Sequence, residues 1–126
     1  MSKILSYISR YLLGFIFLVA GVNGYFVLFN LDPFIETSPE AMALFEFDYL
    51  LTVEKSIEIL CGVLLLINRF VPLALAILSP IVINIMLLHL FLDHSLLPLA
   101  VLLVVMHSYL LYFYRRNFIR LLEKRP

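Results

Sequence analysis

The sequence predicts an all-α membrane protein, an antiparallel four-helix transmembrane bundle with a short interfacial helix between helices one and two. Three observations carry that expectation. Of 126 residues, 63% are hydrophobic and 14% charged, whereas soluble globular chains carry about 25% charged residues. Three stretches, Tyr11 to Leu31, Phe70 to Leu92 and Ser95 to Tyr114, contain no Asp, Glu, Lys or Arg, and each approaches or exceeds the roughly 20 residues that cross a bilayer core. The formal net charge of zero hides a segregation, with acidic residues crowded in one loop and basic residues at the opposite ends. That pattern reports topology and gives no reason to expect nucleic acid or acidic substrates. Residues 1–126 read as one domain, with helices over about 4–31, 49–68, 71–92 and 95–116.

The first span follows Lys3 and Arg10. Its apolar run exceeds the roughly 7 to 15 residues of a signal-peptide core, and Ala20-Gly21 is a poor cleavage context, so a retained helix is the better reading. The second span, about Tyr49 to Ile67, carries Glu54, Lys55 and Glu58. Its dozen or so apolar residues contribute about −0.3 to −0.6 kcal/mol each, against a cost of up to about 9 kcal/mol for three central charges. Alone it is marginal. Glu54 and Lys55 lie near one end, however, and Asn68-Arg69-Phe70-Val71-Pro72 makes a tight turn, so the segment can insert as a hairpin with its successor. A single helix from Ile59 through Ser79 would place Arg69 at mid-membrane and leave Ile81 to Leu92 too short, and is rejected.

Orientation follows from the basic residues. Lys3, Arg10, Arg69, Arg115, Arg116, Arg120, Lys124 and Arg125 fall on one side of a four-span arrangement and none falls in the opposite loops. The positive-inside rule then puts both termini and the Arg69 turn in the cytoplasm. Tyr7, Tyr11, Tyr112 and Tyr114 form an inner aromatic belt, and Phe29, Phe45, Phe47 and Phe91 an outer one. The outward loop from Asp32 to Asp48 is acidic, and within it Ser38 is a good N-cap, Pro39 suits the first helical position and Glu40 favours the positive helix end. These residues predict the interfacial helix, which reads either as a connector or as a lid over a site between the helices.

Ionisable groups inside a membrane are expensive and by default mark a functional site. Counting about 1.5 Å per residue from the outer ends, Glu54 lies roughly 8 Å deep, Glu58 roughly 14 Å, and Asn23 and Asn84 roughly 10 to 12 Å. His89 is shallower. Asn23, Glu54, Lys55, Glu58, Asn84 and His89 are therefore the candidate ligand-binding residues, in the outer half of the bundle where an outward-facing pocket would open. Spacings of four and three put Glu54, Glu58, Cys61 and Leu65 on one stripe of helix two, which should face the bundle. Lys55 is close enough to Glu58 for an i, i+3 ion pair.

Each feature also has a plain structural reading. Lys55 and Glu58 can neutralise each other and pin helix two, and Asn23 and Asn84 can act as interhelical hydrogen-bonding glue. Gly14, Ala20, Gly21 and Gly24 suit close helix approach. Pro80, four residues before Asn84, removes one backbone hydrogen bond and frees the Ala76 carbonyl. His89 with Glu54 and Glu58 is the one conceivable metal set, but a metal site needs three or four convergent ligands, and none is assigned. Cys61 is the lone cysteine, which excludes an internal disulfide and self-contained thiol exchange. The basic tail fixes topology and meets anionic headgroups. Phosphate-cradling glycine loops, nucleophile elbows and dinucleotide fingerprints are absent, so no motif marks the chain as an enzyme on its own, and the question stays open.

Three groups of residues resemble the DoxX-like small membrane proteins of bacteria: Gly14 through Gly24 in helix one, Glu58-Ile59-Leu60-Cys61-Gly62 with Asn68-Arg69-Phe70-Val71-Pro72-Leu73-Ala74 across the hairpin, and Pro80-Ile81-Val82-Ile83-Asn84 leading to His89-Leu90-Phe91-Leu92-Asp93. The resemblance covers nearly the whole chain. It implies a four-helix bundle in the bacterial inner membrane, a quinone as the associated small molecule, and an oxidoreductase as partner protein. Glu58, Asn84 and His89 match the family's polar pattern, while a basic residue that some members carry near Gly24 is missing here. The expected function is an accessory or quinone-associated subunit of a membrane redox system. The alternatives are a small-molecule or proton-coupled transporter titrating at Glu58, and a structural or assembly protein without a ligand. The lipid bilayer is the expected partner in every case, and homo-oligomerisation stays open.

Overall fold

A computed structural model describes residues 2–29, 31, 48–91, 94 and 96–124. They form four main helices, α1 (Ser2–Leu28), α2 (Asp48–Ile67), α3 (Val71–Phe91) and α4 (Leu97–Phe113), followed by a short α5 (Arg115–Ile119) and a 3-10 turn, Arg120–Leu122. The interfacial helix expected from Ser38, and the outer-belt residues Phe45 and Phe47, lie outside the described residues. Lys3–Leu28 and Val71–Phe91 are long and apolar enough to cross a membrane, and the pair Leu97–Phe113 and Arg115–Leu122 makes a third candidate if it counts as one span. Glu54, Lys55 and Glu58 interrupt the apolar run of α2.

The helices close into a ring. α1 packs most extensively on α2, α2 also meets α3, α3 meets α4, and α4 returns to α1. Gly14 lies against Gly62, Gly21 against Ile59 and Gly24 against Lys55, so α1 and α2 run antiparallel. The buried positions repeat at helical spacing, Val71, Ala74, Leu75, Leu78 and Val82 on α3 and Ala100, Leu103, Met106, His107 and Leu110 on α4, as one inward face per helix requires. The opposite faces are apolar as well: Phe15, Leu60, Ile83 and Val105, one from each main helix, are 58–59% exposed. A helix apolar all round is matched to lipid or to a large protein interior.

The α2–α3 hairpin is built from backbone geometry. Asn68 takes φ 57° and Phe70 φ 52°, and the Arg69 N–H donates to the Leu64 carbonyl at 3.0 Å. This is the closing bond of a left-handed C-terminal cap, in which Asn is the usual substitute for Gly. At the far end, α4 stops at Phe113, short of the expected 116, because the chain bends by 77° into the next segment. At the bend Arg115 donates from Nη1 to the Tyr112 carbonyl at 3.0 Å.

One flanking charge is placed differently from the sequence reading. Arg10, expected ahead of the first span among the cytoplasmic basic residues, is 2% exposed and belongs to the α1–α2 seam. Its guanidinium donates to the Leu65 carbonyl near the C-terminal end of α2 and lies 4.4 Å from the Tyr11 ring centroid and 5.6 Å from that of Tyr7. A cation is stabilised there by the negative end of the helix dipole and by the two ring faces.

Candidate functional site

The seam between α1 and α2 is unusually close because all four glycines of the protein lie in it. A Cβ at Gly62 would stand 2.8 Å from the Gly14 carbonyl oxygen and 2.9 Å from the Leu18 nitrogen. At Gly21 it would meet the Lys55 carbonyl at 3.0 Å, and at Gly24 it would strike the stem of the Lys55 side chain. Small residues of this kind let helix backbones touch. The notch at Gly24 is what allows a long basic side chain to lie along the seam.

Lys55 crosses that notch and its Nζ reaches Glu58 Oε2 at 2.9 Å, with the two side chains 16% and 1% exposed. Apart from this ammonium, Oε2 has no hydrogen-bond partner among the described residues. Asn23 is buried and engaged one residue before Gly24, and Tyr25 and Ser56 share a hydrogen bond across the two helices. Glu58, Cys61 and Leu65 are buried on one stripe of α2, as the spacing predicts, and Glu54 is half-buried.

Glu54 turns toward α3. With Leu50, Val53, Ile57, Pro80, Ile81 and Asn84 it lines a cleft of ≈ 220 Å³ between α2 and α3. Asn84 is exposed on the other wall, and His89, half-buried and engaged, is not among the lining residues. Five of the six candidates thus divide into a closed part, Asn23, Lys55 and Glu58 in the seam, and an open part, Glu54 and Asn84 in the cleft, and the sixth, His89, does not line the cleft. The trio His89, Glu54 and Glu58 is not gathered, since among the described residues no three His, Cys, Asp or Glu side chains come together as a metal set.

A second polar join was not singled out from the sequence. His107 is 4% exposed. Its Nε2 lies 2.9 Å from the Leu75 carbonyl and 3.4 Å from Ser79 Oγ, while that hydroxyl donates to the same carbonyl at 2.9 Å. An Nε2–H tautomer satisfies the first contact. The join lines a cleft of ≈ 290 Å³ between α3 and α4 that is otherwise walled by aliphatic residues, Met86 and Ser108. No local signal pointed to it: Pro80 frees the Ala76 carbonyl, one residue on from the acceptor used here. For Arg10 the signal was its spacing of four from Gly14, which puts both on the seam.

Chemically, the seam holds a fixed ion pair, and the α2–α3 cleft is a mainly apolar pocket with Glu54 and Asn84 among its lining residues, a carboxyl group and an amide of the kind that orient a carbonyl- or hydroxyl-bearing molecule. Comparison with family models, with curated proteins and with solved structures returned no match.

Proposed function

We propose that the chain is a four-span integral membrane protein, with both termini and the Arg69 turn in the cytoplasm, that holds a small carbonyl- or hydroxyl-bearing molecule in the cleft between α2 and α3, beside Glu54 and Asn84. One observation carries this reading. The outward face of α2 is apolar, Val53 54%, Leu60 59% and Ile67 55% exposed, while Glu58 and Lys55 are drawn into the seam. A helix that withdraws its charges from its outer surface is built for lipid, and Glu54, the charge it keeps on the α2–α3 cleft, marks the site. The resemblance to the DoxX-like proteins adds the finer content: a quinone as the molecule and an accessory role in a membrane redox system beside an oxidoreductase. The basic group that some of those proteins carry near Gly24 on helix one has a counterpart here, since Lys55 brings its side chain to Gly24 from α2.

The test is a co-purification. The full chain extracted in mild detergent should carry a quinone detectable by absorbance and mass spectrometry, and the Glu54→Leu/Asn84→Leu variant should lose it. Purified protein free of any such molecule counts against the reading.

A structural role without a ligand is the second reading, favoured by the closure of Glu58 in the seam and the fit of the Lys55 stem at Gly24. In that case cells carrying the Lys55→Leu/Glu58→Leu pair should keep full function, because an apolar pair can replace a buried ion pair that serves packing alone.

A further inference from the structure

We propose that the elbow between α4 and α5 is a binding site for the phosphate group of an anionic phospholipid. This rests on the reading that α4 crosses the membrane and ends at the cytoplasmic face, and it assigns a ligand to one place on that face. The bend of 77° after Phe113 lays the following segment across the axis of α4, hence along the surface of a bilayer that α4 spans. At the elbow a cleft of ≈ 480 Å³ is lined by Tyr109, Tyr112, Phe113, Arg115, Arg116 and Asn117, a size within the roughly 300 to 1,000 Å³ of small-molecule sites.

The chemistry of the lining is that of a phosphate receptor. Two guanidinium groups present planar forks that match phosphate oxygens two at a time, and the Asn117 amide and the tyrosine hydroxyls are further donors. Arg115 is held in place, its guanidinium 4.4 Å from the Tyr112 ring centroid and its Nη1 on the Tyr112 carbonyl. The aromatic wall is fixed too, Phe113 standing edge-on to Tyr114 at 5.1 Å and stacked on Tyr109 at 6.4 Å. Among the described residues no carboxylate pairs with Arg115 or Arg116, and the one acid of residues 115–124, Glu123, lies 3.5 Å from Arg120.

The surroundings select a lipid over a soluble phosphate compound. Ile119, Leu121 and Leu122, beside these arginines, are 59%, 75% and 84% exposed. Apolar side chains next to cations gain by entering the boundary between headgroups and acyl chains, where the cations meet anionic lipid. A free phosphate ester would leave that apolar surface in water.

The experiment uses the full chain in delipidated detergent micelles and in nanodiscs, titrated with phosphatidylglycerol or phosphatidylcholine and read by native mass spectrometry. Phosphatidylglycerol should bind in preference, and Arg115→Ala/Arg116→Ala should lower its affinity by about 30-fold, roughly five-fold for each charge. Arg115→Lys/Arg116→Lys, which keeps the charge and loses the forks, should fall between. Arg120→Ala/Lys124→Ala removes equal charge outside the cleft and should cost clearly less; an equal loss would mean a diffuse basic surface and overturn the site. Inorganic phosphate competing as well as the lipid would overturn the lipid assignment. Washing membranes with alkaline carbonate separates the two readings: release of the wild-type chain defeats the spanning arrangement, whereas retention without lipid preference defeats the site alone.

Discussion

A methyl group at Gly62 would sit 2.8 Å from the Gly14 carbonyl oxygen and 2.9 Å from the Leu18 nitrogen, and both are helix backbone that moves only if α1 moves. At Gly24 the obstacle is the Lys55 stem, which can swing aside. Gly62→Ala should therefore destabilise the protein by about 1–3 kcal/mol through overpacking, and Gly24→Ala by less, read from denaturation midpoints in detergent. Equal losses would mean that the seam is looser than its geometry. The ion pair separates in the same way. Lys55→Met leaves Glu58, 1% exposed, without the ammonium at 2.9 Å, and stranding a buried charge costs about 3–5 kcal/mol. Lys55→Met/Glu58→Met should recover most of that loss, since two apolar side chains need no partner. A double variant as unstable as the single one would show that the pair contributes more than mutual neutralisation.

At the level of the element, the α2–α3 turn depends on two residues in the left-handed region, Asn68 at φ 57° and Phe70 at φ 52°. Asn68→Gly should be neutral or mildly stabilising, and Asn68→Val should lose about 1–2 kcal/mol, because a side chain branched at Cβ meets the following carbonyl there. Chevron or equilibrium unfolding in micelles measures both. This turn was legible in the sequence, since Asn68 and Pro72 stand at the positions where a helix stops and the next begins. So were the four helices and the inward stripe of α2, because 3.6-residue periodicity is local information. Arg10 was not. Its charge and its place near an end of a span fit a flanking residue as well as a buried one, and only the phase of α1 against α2, Arg10 four residues before Gly14 and opposite Leu65, decides between them. The same limit applies to the candidate site. Depth along a helix brought six residues to the outer half of the bundle, while rotation about each axis sent Lys55 and Glu58 into the seam and Glu54 and Asn84 to the cleft.

Across the whole molecule the decisive quantity is the number of crossings. The seam gathers Lys55 and Glu58 of α2, and the outer surface at mid-helix is apolar on all four main helices, Phe15, Leu60, Ile83 and Val105 each 58–59% exposed. A soluble bundle would expose such a girdle to water, where contiguous apolar surface drives association; a bilayer turns it into contact area. If α2 crosses, the loop 32–47 and the turn 68–70 face opposite sides of the membrane, and if it does not, they share one. Single cysteines at Glu40 and Arg69, in a Cys61→Ala background, distinguish the cases with a membrane-impermeant maleimide. Glu40→Cys should label in intact cells and Arg69→Cys only after permeabilisation. Equal labelling of both would remove α2 from the membrane, and with it the physical reason for reading Glu54, Lys55 and Glu58 as a site, because ionic groups in water need no function to explain them.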